Sequence, residues 1–248
     1  MATFDHPVGI DIGGTGIKGA PVDVERGELA TERLRLLTPK RATPEAVADV
    51  VTHLLKELDA PGPIGITLPA VVRGGVVRTA SNIDHSWIGI DAAALFAETT
   101  GRPVAVMNDA DAAGVAEINC GAGREKEGVV IMVTLGTGIG SAVFTDGVLV
   151  PNSELGHLPL HHGDAEDWSA ESVHEHDDLS WKKWAHRVQT YLELVERVLW
   201  PELIIIGGGV SKKADKFLPR IEIDTPVVAA ELHNDAGIIG AALAAPHA

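Results

Sequence analysis

A chain of 248 residues, 45% hydrophobic, is long and apolar enough to fold as one large domain or as two lobes. With 20 Lys and Arg against 35 Asp and Glu its formal charge is −15, which argues against a non-specific binder of nucleic acid or anionic membrane unless basic residues gather locally. One cysteine, Cys120, excludes an intrachain disulfide framework, and with no basic-then-apolar leader and no apolar run near the ~20 residues of a membrane span, a soluble, cytoplasmic protein is expected.

In chain order, Val8–Ile12 reads as a strand, Gly13–Gly16 as a tight turn and Ile17–Val24 as the returning strand, a hairpin rather than a strand-to-helix unit. Thr43, Pro44 and Glu45 supply a cap, a first-turn proline and an early acid for a helix reaching Leu58, which Pro61-Gly62-Pro63 stops. A buried strand over Ile64–Leu68, a turn at Gly74-Gly75, a helix over Asp91–Thr100 and a strand over Pro103–Met107 follow. Ala110–Cys120 favours helix, and Gly128–Thr134 is an apolar strand paired with Gly140–Phe144 through Gly136-Thr137-Gly138. Ala165–Asp178 is polar, with its histidines expected in solvated loop, and Trp181–Trp200 is a long amphipathic helix. Leu203–Ile206 is a buried strand ending in Gly207-Gly208-Gly209, and a helix over Ala236–Ala245 closes the chain. This alternation is that of an α/β protein, and the likeness of DIGGTGIKGAPV to VTLGTGIGSAVF points to two similar lobes facing a cleft.

Three glycine-rich turns could carry chemistry: Asp11 to Gly16 (with Gly13, Gly14 and Thr15), Leu135 to Gly140, and Gly207 to Gly209. Glycines there let the backbone approach an anion and aim several N–H groups at it. The first turn lacks a Walker lysine pattern and the helix that a dinucleotide fingerprint requires, so a different phosphate cradle is indicated; an ordinary hairpin turn is the competing use. Asn108 and Asp109 follow a buried strand, where α/β proteins place ligand groups, although Asp109 or Asp111 would also serve as a helix cap. Glu154 and His157, three positions apart beside Gly156, suit vicinal hydroxyls, and the histidines at 161, 162, 174 and 176 lack zinc spacing. Lys212, Lys213, Lys216 and Arg220 form a basic stretch after the third turn, which Lys182 and Lys183 would extend; it reads either as a solvated face or as a track for an anionic substrate.

In order, DIGGTGIKG at Asp11–Gly19, NDADAAGVAE at Asn108–Glu117, LGTGIGSA at Leu135–Ala142, ELGH at Glu154–His157 and IIGGGVS at Ile205–Ser211 resemble the phosphate-1, catalytic, phosphate-2, sugar-binding and adenosine segments of the ROK sugar kinases, members of the actin-like superfamily. RTASNIDHSWIG at Arg78–Gly89, LVPNSELGH at Leu149–His157, KKWAHRV at Lys182–Val188 and SKKADKFLP at Ser211–Pro219 are similar to the branch of actinobacterial polyphosphate glucokinases, which includes polyphosphate/ATP glucomannokinase. Most ROK proteins carry a zinc-binding cysteine cluster after ELGH. This chain has HHGDAEDWSAES there, so zinc is not implied, and Glu166 becomes the counterpart of a sugar-binding glutamate. Eight residues precede the first strand's glycine, so the helix-turn-helix of the ROK repressors is not expected.

The resemblance implies phosphoryl transfer from inorganic polyphosphate, and from ATP, to the 6-hydroxyl of glucose, with mannose as a second acceptor. Asp109 would be the base, and Asn82, Asn108, Asp109, Glu154, His157 and Glu166 would hold the sugar. Gly13, Gly14, Thr15, Gly16, Gly136, Thr137, Gly138, Gly207, Gly208 and Gly209 would cradle the donor, Lys18 would assist, and Asp11 would help place Mg²⁺ through water. Lys182, Lys183, Lys212, Lys213 and Lys216 would form the polyphosphate track. The resemblance further implies two actin-like lobes, 1–107 with a returning 236–248 and 108–235, and a homodimer that binds neither nucleic acid nor membrane. An ATP-dependent kinase of another hexose and a non-catalytic sugar sensor are the competing readings; the presence of Asp109 argues against the sensor.

Overall fold

A computed structural model describes residues 6–246. The stretch before residue 6, part of the leader reading above, and residues 247–248 lie outside the described residues. Packing divides the chain into two units, Met1–Ala116 with Asp235–Ala248, and Glu117–Asn234. The change of unit falls inside a helix rather than at residue 107, so Asn108 and Asp109 belong with the first unit.

The chain opens with β1 (Val8–Ile12), β2 (Ile17–Asp23), β3 (Glu28–Leu29) and β4 (Leu34–Leu36). It continues with α1 (Pro44–Leu58), β5 (Ile64–Leu68), the small hairpin of β6 (Val72–Arg73) and β7 (Val76–Val77), α2 (Ala92–Thr100), β8 (Val104–Asn108) and α3 (Asp109–Cys120). The second unit contains β9 (Val129–Leu135), β10 (Ile139–Thr145), β11 (Val148–Val150), β12 (Pro159–Leu160), β13 (Gly163–Asp164), α4 (Glu166–Ser169), α5 (Glu171–His176), α6 (Trp181–Leu199), β14 (Leu203–Gly207) and β15 (Val227–Ala229). The closing helix, α7 (Ala236–Leu243), returns to the first.

In the first unit the sheet runs β3-β2-β1-β5-β8, with β4 also on β2. β1 pairs antiparallel with β2 and parallel with β5, which is parallel to β8. Alternation along β1 puts Val8, Ile10 and Ile12 on one face, in a core shared with Val47, Val51 and Leu54 of α1. Thr43 caps α1 by accepting the Ala46 N–H, with Pro44 at the first turn as its sequence requires. Gly9 and Gly65 occupy the opposite face, where α7 lies so close that a Cβ on either would meet a backbone carbonyl oxygen of that helix. Gly240 of α7 in turn lies against the Ala112 carbonyl, so α7 also holds the first half of α3.

In the second unit the order is β11-β10-β9-β14-β15, with β9 antiparallel to β10 and parallel to β14, which is parallel to β15. Each unit therefore has the same kernel: a hairpin closed by a glycine turn, then two parallel strands. Trp184, Val188, Leu192 and Val195 of α6 pack with Ile131, Val133, Ile204 and Ile206, each such burial contributing roughly 1.5–3 kcal/mol. The Trp184 indole N–H donates to the carbonyls of Ser169 and Ala170 at 3.1 and 3.2 Å.

The structure also departs from the sequence reading between α4 and α6. Residues 166–176 form the short helices α4 and α5 rather than a loop, and His174 is half-buried. Its ring lies 4.4 Å from Trp181 and 5.2 Å from Trp184, and burial lowers its pKa. The aromatic neighbours arrive from α6, so no local polarity pattern shows them.

Candidate functional site

In the first unit the β1–β2 turn is closed by the Gly13 N–H donating to the Gly16 carbonyl at 3.1 Å, which leaves Gly14 and Thr15 at an exposed tip. No heavy atom stands within 4 Å of a Cβ built on Gly14, so the tip is open to a ligand. At its base Asp11 faces Lys18 across the strand pair at 3.4 Å and accepts a hydrogen bond from Thr67 at 3.0 Å. The hairpin thus positions Lys18, and the parallel partner β5 supplies Thr67.

Asn108, the last residue of β8, caps α3: its Oδ1 accepts from the Ala110 and Asp111 N–H groups at 2.8 and 3.0 Å, and its Nδ2 donates to the Ala70 carbonyl at 3.1 Å. Neither Asp109 nor Asp111 is the cap. Asp109 stands half-buried in the first turn of α3, where one carboxylate oxygen accepts the Ala110 N–H at 2.9 Å and the helix dipole favours the anion. Asn82 is exposed on the rim of a pocket of about 310 Å³ that Gly13 and Gly14 also line.

In the second unit Ser141 on β10 pins the segment that carries Glu154 and His157: its hydroxyl donates to the Ser153 carbonyl at 2.6 Å and accepts the Leu155 N–H at 2.9 Å. Gly156 rests on the Ile139 carbonyl, where a Cβ would stand 2.3 Å from the oxygen. This seating brings Glu154, His157 and Glu166 together. His157 Nδ1 lies 2.8 Å from Asp164 and 3.8 Å from Glu166, and its Nε2 lies 3.8 Å from Glu154. Glu166 also accepts the Ile139 N–H at 3.0 Å, so it braces the second glycine turn as well as facing His157. Burial raises the Glu154 pKa, while His157 opposes the shift.

Asp164 is absent from the sequence reading of this site. It sits on β13, and only the β12–β13 hairpin carries it back to His157. Accepting from Nδ1 leaves the neutral imidazole with a lone pair on Nε2, able to accept a hydrogen bond from a hydroxyl group. One ligand atom each from His157, Asp164 and Glu166 lies within 4.8 Å of the others, a spacing that carboxylates also adopt without an ion.

The Asp164 hydrogen bond raises the His157 pKa above its ordinary 6.5, with smaller help from the Glu166, Asp164 and Glu154 charges and some opposition from burial. Because the folded value lies above the unfolded one, the stabilisation is complete below about 6.5 and is lost as pH rises through the folded value. Asp164→Asn is expected to move the His157 titration, followed by imidazole NMR, down toward 6.5; an unmoved titration would show that the pair does not set it.

The other two glycine turns lie side by side. Ser172 donates from its N–H to the Gly136 carbonyl and from its hydroxyl to Thr137 O at 2.7 Å. Gly208, at φ 81°, passes so close to Leu135 that a Cβ would stand 2.2 Å from its carbonyl oxygen, and Ser211 Oγ donates to Gly208 O at 2.8 Å. Lys213 and Lys216 place their ammonium groups 5.8 and 5.5 Å from the Trp181 ring, so that α6 and the segment after β14 bring them to the residue preceding Lys182 and Lys183. Arg220 turns back to the Lys216 carbonyl at 2.7 Å.

A second basic stretch is as dense as the one at 212–220. Arg33, Arg35, Lys40 and Arg41 lie within nine residues that contain no acid. The signal is in the sequence, and the structure sets it beside the first glycine turn. Glu117, wholly buried, accepts backbone N–H groups of Ala122, Glu231 and Leu232. This ties the later part of α3 to the chain before α7.

The ROK family model matches residues 7–176. A polyphosphate glucokinase of Mycobacterium tuberculosis is 50% identical over 243 residues, covering 98% of this chain and 92% of that protein. The crystal structure of inorganic polyphosphate/ATP-glucomannokinase from Arthrobacter sp. strain KM superposes with a TM-score of 0.91 at 50% identity, covering 95% of this chain and 96% of the other. A ROK family glucokinase from Streptomyces griseus, in complex with glucose and AMPPNP, gives a TM-score of 0.82 at 24% identity over 96% of this chain and 98% of that one, a likeness of fold.

Proposed function

The chain belongs to the ROK family, and from that premise we propose that it is a polyphosphate-dependent glucokinase, transferring the terminal phosphoryl group of inorganic polyphosphate, and of ATP, to the 6-hydroxyl of glucose. The observation that carries this reading is the 50% identity to a polyphosphate glucokinase along almost the whole chain. Mannose is a second acceptor, in keeping with the name of the glucomannokinase relative.

Asp109 accepts the proton of the 6-hydroxyl as its oxygen attacks the terminal phosphorus, and the shortened polyphosphate or ADP leaves. Asn82, Asn108, Glu154, His157 and Glu166 hold the other hydroxyls. Asn108 retains one N–H after capping α3, and His157 offers Nε2. The turns at Gly13–Gly16, Gly136–Gly138 and Gly207–Gly209 present backbone N–H groups to donor oxygens, and Lys18 adds positive charge near the first. The Asp11 carboxylate keeps oxygen lone pairs beyond its contacts with Thr67 and Lys18, which fits a Mg²⁺ held mainly by donor phosphates and water. When bound, Mg²⁺ neutralises donor charge. Among the described residues no helix is long and apolar enough to cross a membrane. We place the enzyme in the cytoplasm as a homodimer without structural zinc, with Trp200 and Val198, 76% and 55% exposed at the end of α6, among the apolar surface a second copy would cover.

The test is glucose phosphorylation by purified protein with Mg²⁺ and either long-chain polyphosphate or ATP as sole donor. Glucose 6-phosphate is expected from both; silence with both donors would sink the reading. In the same assay, replacing Lys212, Lys213 and Lys216 with alanine is expected to raise the polyphosphate KM more than the ATP KM and to flatten its salt dependence. Equal changes for both donors would reject that track.

A further inference from the structure

The basic stretch at 33–41 has no place in the reading so far. Arg33 is taken by Asp235, whereas Arg35, Lys40 and Arg41 border the β1–β2 turn. The Arg35 guanidinium donates to the Thr15 carbonyl at 3.3 Å, and its Nε lies 2.5 Å from where a Cβ of Gly16 would stand. On the other side the Thr38 hydroxyl donates to the Gly13 carbonyl at 2.6 Å, anchoring the segment so that Lys40 and Arg41 line the pocket with Gly13, Gly14 and Asn82.

The bland use of these cations is as paired surface charges. Arg41 does face Asp84, the carboxylate of the pocket, but at 3.8 Å and with its own side chain 87% exposed. Asp84 is already committed through its other oxygen to the N–H and hydroxyl of Ser86. A loose exposed pair of this kind contributes about 0–1 kcal/mol, so an incoming anion displaces it at little cost. Lys40 has no ion pair among the described residues. The open tip at Gly14 therefore has cations on both flanks, one of them donating to the turn itself.

We infer that Arg35, Lys40 and Arg41 form a donor-selecting anion site on the first unit that takes the phosphates of a condensed phosphate chain beyond the one transferred. The inference rests on the polyphosphate reading above. ATP carries three phosphates and ends in an uncharged nucleoside, whereas polyphosphate continues as one charged group after another. Cations spread over the Thr15 and Gly13 sides of one turn thus have further partners only in the longer anion. The guanidinium groups suit this because their forked donors match phosphate oxygens. A hexose 6-phosphate presents the same phosphate chemistry from the product side, and the experiment separates the two.

Arg35→Ala and the double variant Lys40→Ala, Arg41→Ala would be compared with wild type and with Lys56→Ala, an exposed lysine on α1 serving as a charge control. Thermal melting would check that each is folded. Initial rates with long-chain polyphosphate and with ATP, glucose 6-phosphate inhibition, and calorimetric titration with long-chain polyphosphate in the absence of glucose are the readouts. The expected result is a polyphosphate KM raised about tenfold, about 1.4 kcal/mol of binding, with a weaker salt dependence, an ATP KM changed less than about twofold, and weaker calorimetric binding of long-chain polyphosphate. Equal shifts for both donors, no shift, or a change confined to glucose 6-phosphate inhibition would overturn it. If wild type fails to use polyphosphate as donor, the polyphosphate reading falls while the calorimetric titration with long-chain polyphosphate still decides the site.

Discussion

Replacing Asp109 with asparagine is expected to lower turnover at least ~10²-fold while leaving the glucose KM within about threefold of wild type. The two side chains have the same shape, and the amide oxygen can still accept the Ala110 N–H that the carboxylate accepts at 2.9 Å. Asn108, not Asp109, caps α3, so the helix start keeps its hydrogen bonds to Ala110 and Asp111. What is lost is the proposed proton acceptor, and with it the charge that the first turn of α3 favours. Binding of the ground-state sugar depends on hydroxyl contacts that an amide can supply in part, whereas proton removal does not survive the change. The loss should therefore appear in kcat with both donors. A near-normal kcat would remove Asp109 as the base, and an equal rise in KM would make it a binding residue instead.

The elements most legible in the sequence are those whose signals are local. Thr43, Pro44 and Glu45 announce α1 because cap, proline and first-turn acid act within one turn of helix. The two glycine hairpins are visible because strand alternation and turn glycines lie within a dozen residues, and both are found at the expected positions. The failures are non-local. His174 reads as solvated because the indoles that cover it come from α6, and Asp164 reads as one more loop acid because a hairpin is needed to bring it to His157. Asn108 is legible as a strand-end polar residue, yet its capping role requires knowing that α3 starts one residue later. Only family likeness points to Glu166, because its bond to Ile139 N–H joins residues on separate elements.

Gly65→Ala is expected to destabilise the first unit by about 3 kcal/mol or more, although it adds one methyl group far from any reacting atom. That Cβ would stand 1.7 Å from the Ala241 carbonyl oxygen and 2.4 Å from its carbon, and both are backbone atoms that no rotamer change can move. β5 cannot yield, being hydrogen-bonded to β1 on one side and β8 on the other. Nor can α7 retreat cheaply. It meets Gly9 through Ile238, with a Cβ there 1.8 Å from the oxygen, and meets the Ala112 carbonyl through Gly240 just as closely. Lifting α7 would open those contacts together and disturb Gly237, which sits beside Asp11 at the foot of the phosphate turn. Gly14→Ala is the matching control, since nothing lies within 4 Å of its Cβ, and its stability should stay within ~0.5 kcal/mol of wild type. Urea unfolding of the three proteins checks the contrast: a Gly65→Ala midpoint close to that of Gly14→Ala would mean that α7 can be moved off the sheet at little cost, and the setting of Asp11 would then need another source of rigidity.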